Sequence, residues 1–162
     1  MNMIIREIKQ NEIYFLKEML YLALYVPEGK SPFPKSIIEN PDISKYIDHW
    51  GTLPNDIALV AVFNEKLIGA VWGRTFNSLK PGYGFIDENT PEICMAVKEK
   101  FRNRGIGTKL IDEISKIYYS KGIRLISLSV DKRNRAKLFY VRKGFILVEA
   151  KGTAITMKKI LK

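Results

Sequence analysis

Cysteine and histidine are nearly absent from this 162-residue chain, with Cys94 and His49 each standing alone. A lone cysteine excludes an intrachain disulfide framework and fits a reducing compartment. A single histidine argues against a His-based triad or a His-rich metal site. Apolar runs are short: Ile57 to Phe63, for one, falls well below the ~20 residues a membrane-spanning helix needs. The chain reaches Arg6 and Glu7 without the apolar stretch and cleavage site of a secretory signal. Internal repeats and low-complexity tracts are missing too. These absences predict a cytoplasmic protein with no membrane association. Helix-turn-helix, zinc-ligand and RNP-type aromatic patterns are also lacking, which argues against a nucleic-acid partner.

What is present describes one domain over residues 1–162: with 46% hydrophobic residues, the chain can bury one substantial core but is short for two. Net charge is +10, and its placement is uneven. Lys98 to Lys143 holds 14 Lys or Arg against 4 Asp or Glu, an excess equal to that of the whole chain, whereas residues 1–97 hold 9 against 12. Such a segment draws phosphate-bearing ligands through its summed field, although a solvated basic face has the same composition.

Periodicity outlines the elements. Met3 to Ile8 reads as a strand and Glu12 to Leu24 as a helix, with Ile13, Leu16, Leu20 and Leu24 on one face. Pro27 to Pro41 is loop-like, and Asp42 is a candidate N-cap for a short helix through His49. Ile57 to Phe63 and Leu67 to Phe76 form a predicted hairpin turning at Asn64-Glu65. Glu92 to Val97 is a strand whose alternation places Glu92, Cys94 and Ala96 on one face, with Ile93, Met95 and Val97 on the other. A helix over Gly105 to Ser120 carries Ile106, Leu110, Ile114 and Ile117 in one stripe. A strand from Leu125 to Val130, a short helix and two terminal strands, Phe145 to Glu149 and Ala154 to Ile160, complete an α+β order.

The junction between Val97 and the long helix reads Arg102-Asn103-Arg104-Gly105-Ile106-Gly107-Thr108. Basic residues and glycines at a helix start gather free backbone N–H groups and the positive dipole end at one point, a cradle suited to pyrophosphate. A tight turn whose glycines only let the helix pack on the sheet is the alternative. No Lys-Ser or Lys-Thr pair follows Gly107 and Leu110 occupies a third-glycine position, so neither a Walker loop nor a dinucleotide fingerprint is present. About thirty residues later, Ala136 is followed by Phe139-Tyr140 and Gly144-Phe145 at fixed offsets.

In this order and on these elements, the two motifs resemble the GNAT superfamily of acetyl-CoA-dependent N-acetyltransferases. The likeness extends over essentially the whole chain, with Tyr21 to Pro27 and His49-Trp50-Gly51 resembling a bacterial subgroup. It implies a GNAT fold, a mixed and mostly antiparallel sheet flanked by helices, with acetyl-CoA as donor and CoA as product. It further implies main-chain contacts to the pantetheine arm from Met95, Ala96 and Val97. Pyrophosphate binding falls to Arg102, Asn103, Arg104, Gly105, Ile106, Gly107 and Thr108, and a contact with the cofactor arm to Phe139. Many relatives carry an Asn seven residues before the tyrosine; here Arg133 holds that place and Asn134 follows. Either Asn134 substitutes after a one-residue shift, or Asp131 caps the helix and the contact is altered.

By the same resemblance Tyr140 is the candidate acid for the departing sulfur, with a packing aromatic as its alternative. Glu92 is the candidate base, or an exposed residue that merely starts its strand after Pro91. Cys94 reads as a small core residue and His49 as structural beside Trp50. Tyr25 to Ser36, His49-Trp50 and Phe76 to Asn89 are the segments expected to select the acceptor. The resulting expectation is acetylation of a small-molecule amine, with a homodimer compatible. The alternatives are a protein N-terminal or lysine acetyltransferase, and a non-catalytic CoA-sensing or nucleic-acid-binding module.

Overall fold

The computed structural model describes residues 2–162. Seven strands form one sheet: β1 (Met3–Glu7), β2 (Ile57–Phe63), β3 (Lys66–Arg74), β4 (Glu92–Val97), β5 (Leu125–Asp131), β6 (Ile146–Lys151) and β7 (Ala154–Ile160). Their spatial order is β1-β2-β3-β4-β5-β7-β6, and every neighbouring pair is antiparallel except β4 with β5. Four helices accompany the sheet: α1 (Tyr14–Ala23), α2 (Pro41–Ser44), α3 (Ile106–Ser120) and α4 (Ala136–Arg142). This is the mixed, mostly antiparallel α+β arrangement expected. Among the described residues no helix is long and apolar enough to cross a membrane.

Two apolar layers lie on opposite faces of the sheet. One joins Ile106, Leu110, Ile111, Ile114 and Tyr118 of α3 to Ile93, Ile126, Leu128 and Met157. The other packs Phe15, Leu16, Met19 and Leu20 of α1 against Val60, Ala70, Trp72 and Ala96. Strand β4 divides between them as its alternation requires: Ile93, Met95 and Val97 face the α3 layer, Cys94 and Ala96 the α1 layer. In α3 the buried stripe uses Tyr118 rather than Ile117, which is only partly covered. The Tyr118 hydroxyl crosses over Gly73 to donate to the Asn55 carbonyl at 2.9 Å, and a Cβ on Gly73 would lie 2.1 Å from that oxygen.

Several boundaries move for local reasons. Helix α1 starts at Tyr14 because Gln10–Glu12 forms a 3₁₀ turn. There Glu12 accepts the Lys9 N–H at 2.9 Å and both arms of the Arg6 guanidinium. Asp42 is not the cap of α2: the Asn40 side chain accepts the Asp42 N–H at 2.9 Å, with Pro41 in the first helical position. Regular helix ends at Ser44, short of His49. Arg74 anchors the segment that follows, pairing twice with Asp56 at 2.8 Å and donating to the carbonyls of Lys45 and Asp48. The β2–β3 hairpin turns at Asn64 and Glu65 as expected, both with positive φ, the conformation of the tight hairpin turns that match strand twist.

Candidate active site

Strands β4 and β5 meet at one register position, Glu92 opposite Ser127, and then part company. Strand β5 commits its length to β7, while β4 is fully paired on its other edge with β3, from Glu92–Arg74 to Val97–Gly69. Beyond Glu92, therefore, the edge of β4 that faces β5 has no ladder partner. Backbone groups left this way need hydrogen bonds from elsewhere. The gap opens into a cleft of about 1370 Å³ whose lining includes both Glu92 and the start of α3.

At the entry to α3, Asn103 and Gly105 take left-handed backbone conformations, with φ of 61° and 80°, and turn the chain sharply into the helix. Within the helix, the N–H groups of Ile106, Gly107 and Thr108 precede the first i→i−4 bond, which runs from Lys109 to Gly105. They supply the donors and the dipole end that favour an anion. Gly105 has open space where a side chain would start, whereas a Cβ on Gly107 would press on Met95 Cε at 3.2 Å and Phe139 Cζ at 3.4 Å. Arg102 donates from Nε to the Val97 carbonyl at 2.9 Å, fastening the loop to the end of β4. Arg104 is not among the lining residues and lies over the Phe101 ring, 5.7 Å from its centre.

One side wall comes from β5 and α4. Asn134 Oδ1 accepts the Ala136 N–H at 2.9 Å, so it is Asn134 that caps the helix. Asp131 binds the Arg133 backbone N–H and guanidinium instead, which hold its carboxyl down at about 2. Arg133 in turn lies over the Tyr25 ring, and the Tyr25 hydroxyl donates to the Arg133 carbonyl at 3.4 Å. Tyr140 is 9% exposed and lines the cleft, edge-on to Phe139 and Phe145. Burial, with the Cys94 thiol adding to it, raises the Tyr140 hydroxyl above its ordinary value and keeps it protonated.

Glu92, at the start of β4, is 3% exposed, which overturns the alternative of an exposed residue at a strand start. Its Oε2 accepts the Tyr46 hydroxyl at 2.5 Å, and that hydroxyl accepts the Tyr83 N–H at 2.7 Å. The other oxygen, Oε1, is buried without a partner. Desolvation pushes the carboxyl up to about 7, against the opposing pull of Tyr46, the Gly84 backbone and the Lys45 charge. A carboxyl that titrates near neutrality inside a cleft is suited to accept a proton.

The acetyltransferase (GNAT) family profile matches residues 20–145. The chain belongs to this family. An uncharacterised N-acetyltransferase of Methanocaldococcus jannaschii is 29% identical over 145 residues, covering 88% of this chain and 78% of that one. Among solved structures, PaiA N-acetyltransferase of Thermoplasma acidophilum in complex with coenzyme A superposes with a TM-score of 0.72 at 20% identity over 99% of both chains. An aminoglycoside 6′-N-acetyltransferase complexed with coenzyme A gives 0.70 at 20% identity, over 98% of this chain and 97% of that one.

In this GNAT chain, the cleft gathers Glu92, Met95, Ala96, Val97, Arg102, Asn103, Gly105, Ile106, Gly107, Thr108, Asn134, Phe139 and Tyr140, leaving Arg104 outside. Of the segments expected to select the acceptor, His49-Trp50 does not reach the cleft: His49 is exposed, with φ of 51°, and Trp50 packs under the Arg74 guanidinium. Tyr25 and Tyr83, from the other two segments, do line it. Tyr46 was not among the residues singled out from the sequence. It lies 46 positions from Glu92 in a helix-like stretch, and nothing in its spacing marks a hydroxyl that reaches another element.

Proposed function

We propose that this protein is an N-acetyltransferase that moves the acetyl group of acetyl-CoA directly to the primary amine of a small acceptor. One observation carries the reading. A single cleft joins an unpaired strand edge, a helix start rich in free N–H groups and a carboxyl raised to about 7. The residues present suit acetyl-CoA: the open edge of Met95 to Val97 offers main-chain groups to its amide-bearing arm, and the turn from Arg102 to Thr108 offers donors to its pyrophosphate. Phe139 flanks the arm, and Asn134, though occupied as a helix cap, borders the same wall. When bound, acetyl-CoA supplies an acyl group activated as a thioester.

The chain's own groups then manage protons. Glu92 takes one from the acceptor ammonium, directly or through one water, and frees the lone pair for attack. As the N–C bond forms and the C–S bond breaks, the protonated Tyr140 hydroxyl gives its proton to the departing sulfur, the nitrogen loses its second proton to solvent, and Tyr140 recovers one from solvent. No covalent enzyme adduct is required. Cys94 does not suit such a role, since burial first and the nearby Glu92 second raise its thiol well above the ordinary value.

Calorimetric titration with acetyl-CoA and with CoA tests the reading. Saturable one-site binding is expected, and it should disappear in Gly105→Glu, which places a carboxylate at the anion site, while the circular dichroism spectrum is retained. Absence of binding at submillimolar acetyl-CoA would sink the proposal.

A further inference from the structure

Across the sheet from Glu92 stands a second buried charge. Arg74 of β3 is the register partner of Glu92 on β4, and opposite residues of an antiparallel pair share one face of the sheet. Two side chains of opposite sign so placed are set up to pair. Arg74 turns instead to Asp56, with Nε and Nη2 each 2.8 Å from a carboxylate oxygen, and Trp50 covers the guanidinium at 5.0 Å. Arg74 is 4% exposed and the Asp56 side chain 0%. A charge pair taken so far out of water loses hydration that its attraction only partly offsets, so stability alone is a weak account of it.

The other donors of Arg74 show what else the guanidinium does. Nη1 donates to the Lys45 carbonyl at 3.0 Å and to the Asp48 carbonyl at 2.7 Å, while Asp56 Oδ2 accepts the N–H groups of Gly51 and Leu53 at 3.0 and 3.2 Å. The turns from Lys45 to Leu53 are thereby wrapped on one buried pair. Tyr46 lies inside the wrap, between the two residues whose carbonyls Arg74 holds. Its ring meets Phe76 edge-on with centres 5.0 Å apart, and its hydroxyl donates to Glu92 Oε2. On the far side of the carboxylate, Gly82 packs so closely that a Cβ there would lie 2.1 Å from Oε1. Glu92 is held between a backbone wall and one phenol, and the phenol is set by Arg74.

Resting on the reading of Glu92 as the proton acceptor, we infer that Arg74 is a positioning residue for acetyl transfer: clamped by Asp56, it fixes the turn that carries Tyr46, and Tyr46 orients the Glu92 carboxylate. Arg74 lies outside the cleft lining and acts through Tyr46 alone. The titratable and charged groups that face Glu92 are Tyr46 and Lys45 beyond α2, Arg74 on β3, Tyr83 ahead of β4 and Cys94 within it. The Lys45 ammonium has anchors of its own, the Pro81 carbonyl at 2.8 Å and the Tyr83 ring at 4.7 Å, so it stays in place when Arg74 is changed.

The test follows the Glu92 carboxyl directly, by carbon-13 NMR of the glutamate-labelled protein between about pH 5 and 9, with the signal assigned by its loss in Glu92→Gln. Arg74→Gln combined with Asp56→Asn removes both charges together and leaves an amide pair in their place, so no buried charge stands alone. This variant should bind CoA with unchanged affinity. Its Glu92 midpoint should rise by about half a pH unit or more, the direction expected of Tyr46→Phe, because the carboxylate loses an oriented donor. Added to Tyr46→Phe, the same two changes should move the midpoint no further, since Arg74 then has nothing to act through. Arg74→Lys keeps the charge but not the fork that spans both carbonyls, and should shift the midpoint the same way. A midpoint unmoved by these changes, or a shift that persists undiminished in Tyr46→Phe, overturns the inference and leaves acetyl transfer standing. Loss of CoA binding in both Arg74 variants makes Arg74 a residue of the fold alone and overturns it as well. A wild-type carboxyl with no midpoint in that range overturns the assignment of Glu92 beneath, and the inference with it.

Discussion

At Glu92 a single carboxyl carries both chemistry and a stability signature. In the folded protein its pKa is about 7 rather than the ordinary 4.5, with burial the chief cause. The folded state therefore holds the proton more tightly than the unfolded chain. That contribution is fully present below about pH 4.5 and is lost as pH rises through 7. Glu92→Gln keeps the shape and removes the titration, so its melting temperature should gain on the wild type between pH 5 and 8 in a thermal-shift series. The same variant should lose the acid limb of the rate profile near pH 7 and about 10²–10⁴ in kcat. A melting difference flat across that pH range would show that Glu92 does not titrate there. Tyr46→Phe removes the strongest opposing contact, so the limb should move to higher pH while persisting. The sequence pointed to Glu92 through its family place at the start of a strand. The partnership with Tyr46 was illegible because it spans 46 residues, and the raised pKa because it comes from burial that no local pattern displays.

Elements were more legible than their ends. The alternation of Glu92 to Val97 and the positive-φ turn at Asn64-Glu65 follow directly from strand geometry, and the structure keeps both. Boundaries shifted where a side chain outcompeted the pattern: Asn40 captured the N–H of Asp42, and Glu12 was drawn into a turn by Arg6. Close packing of α3 on β3 was likewise hidden, since Tyr118 needs Gly73 beneath it and no periodicity pairs them. Gly73→Ala drives a methyl into the Tyr118 hydroxyl and should destabilise by about 1–3 kcal/mol in urea denaturation. Tyr118→Phe loses the bond to Asn55 and should cost about 1 kcal/mol. The double variant should be less destabilised than the sum of the two, because removal of the hydroxyl makes room for the methyl. Strict additivity would show that the clash is absorbed elsewhere.

For the whole molecule, the charge asymmetry read from composition corresponds to the layout of the cleft. The basic segment Lys98 to Lys143 contains the turn into α3, β5 and α4, and the weakly acidic first part of the chain contributes Glu92. What composition could not disclose is that the sheet is interrupted. Four strands stand on one side of the gap and three on the other, and a lone register position joins them. A molecule lying along the open edge of β4 acts as the rung that the ladder lacks. Occupancy would then be a mechanical property of the fold, adding a second link between two halves that Glu92 and Ser127 alone join. Deuterium uptake at the outward amides of Ile93 to Val97 should consequently slow on adding CoA, even in Glu92→Gln. The seam between the halves reports the guest whether or not any chemistry follows.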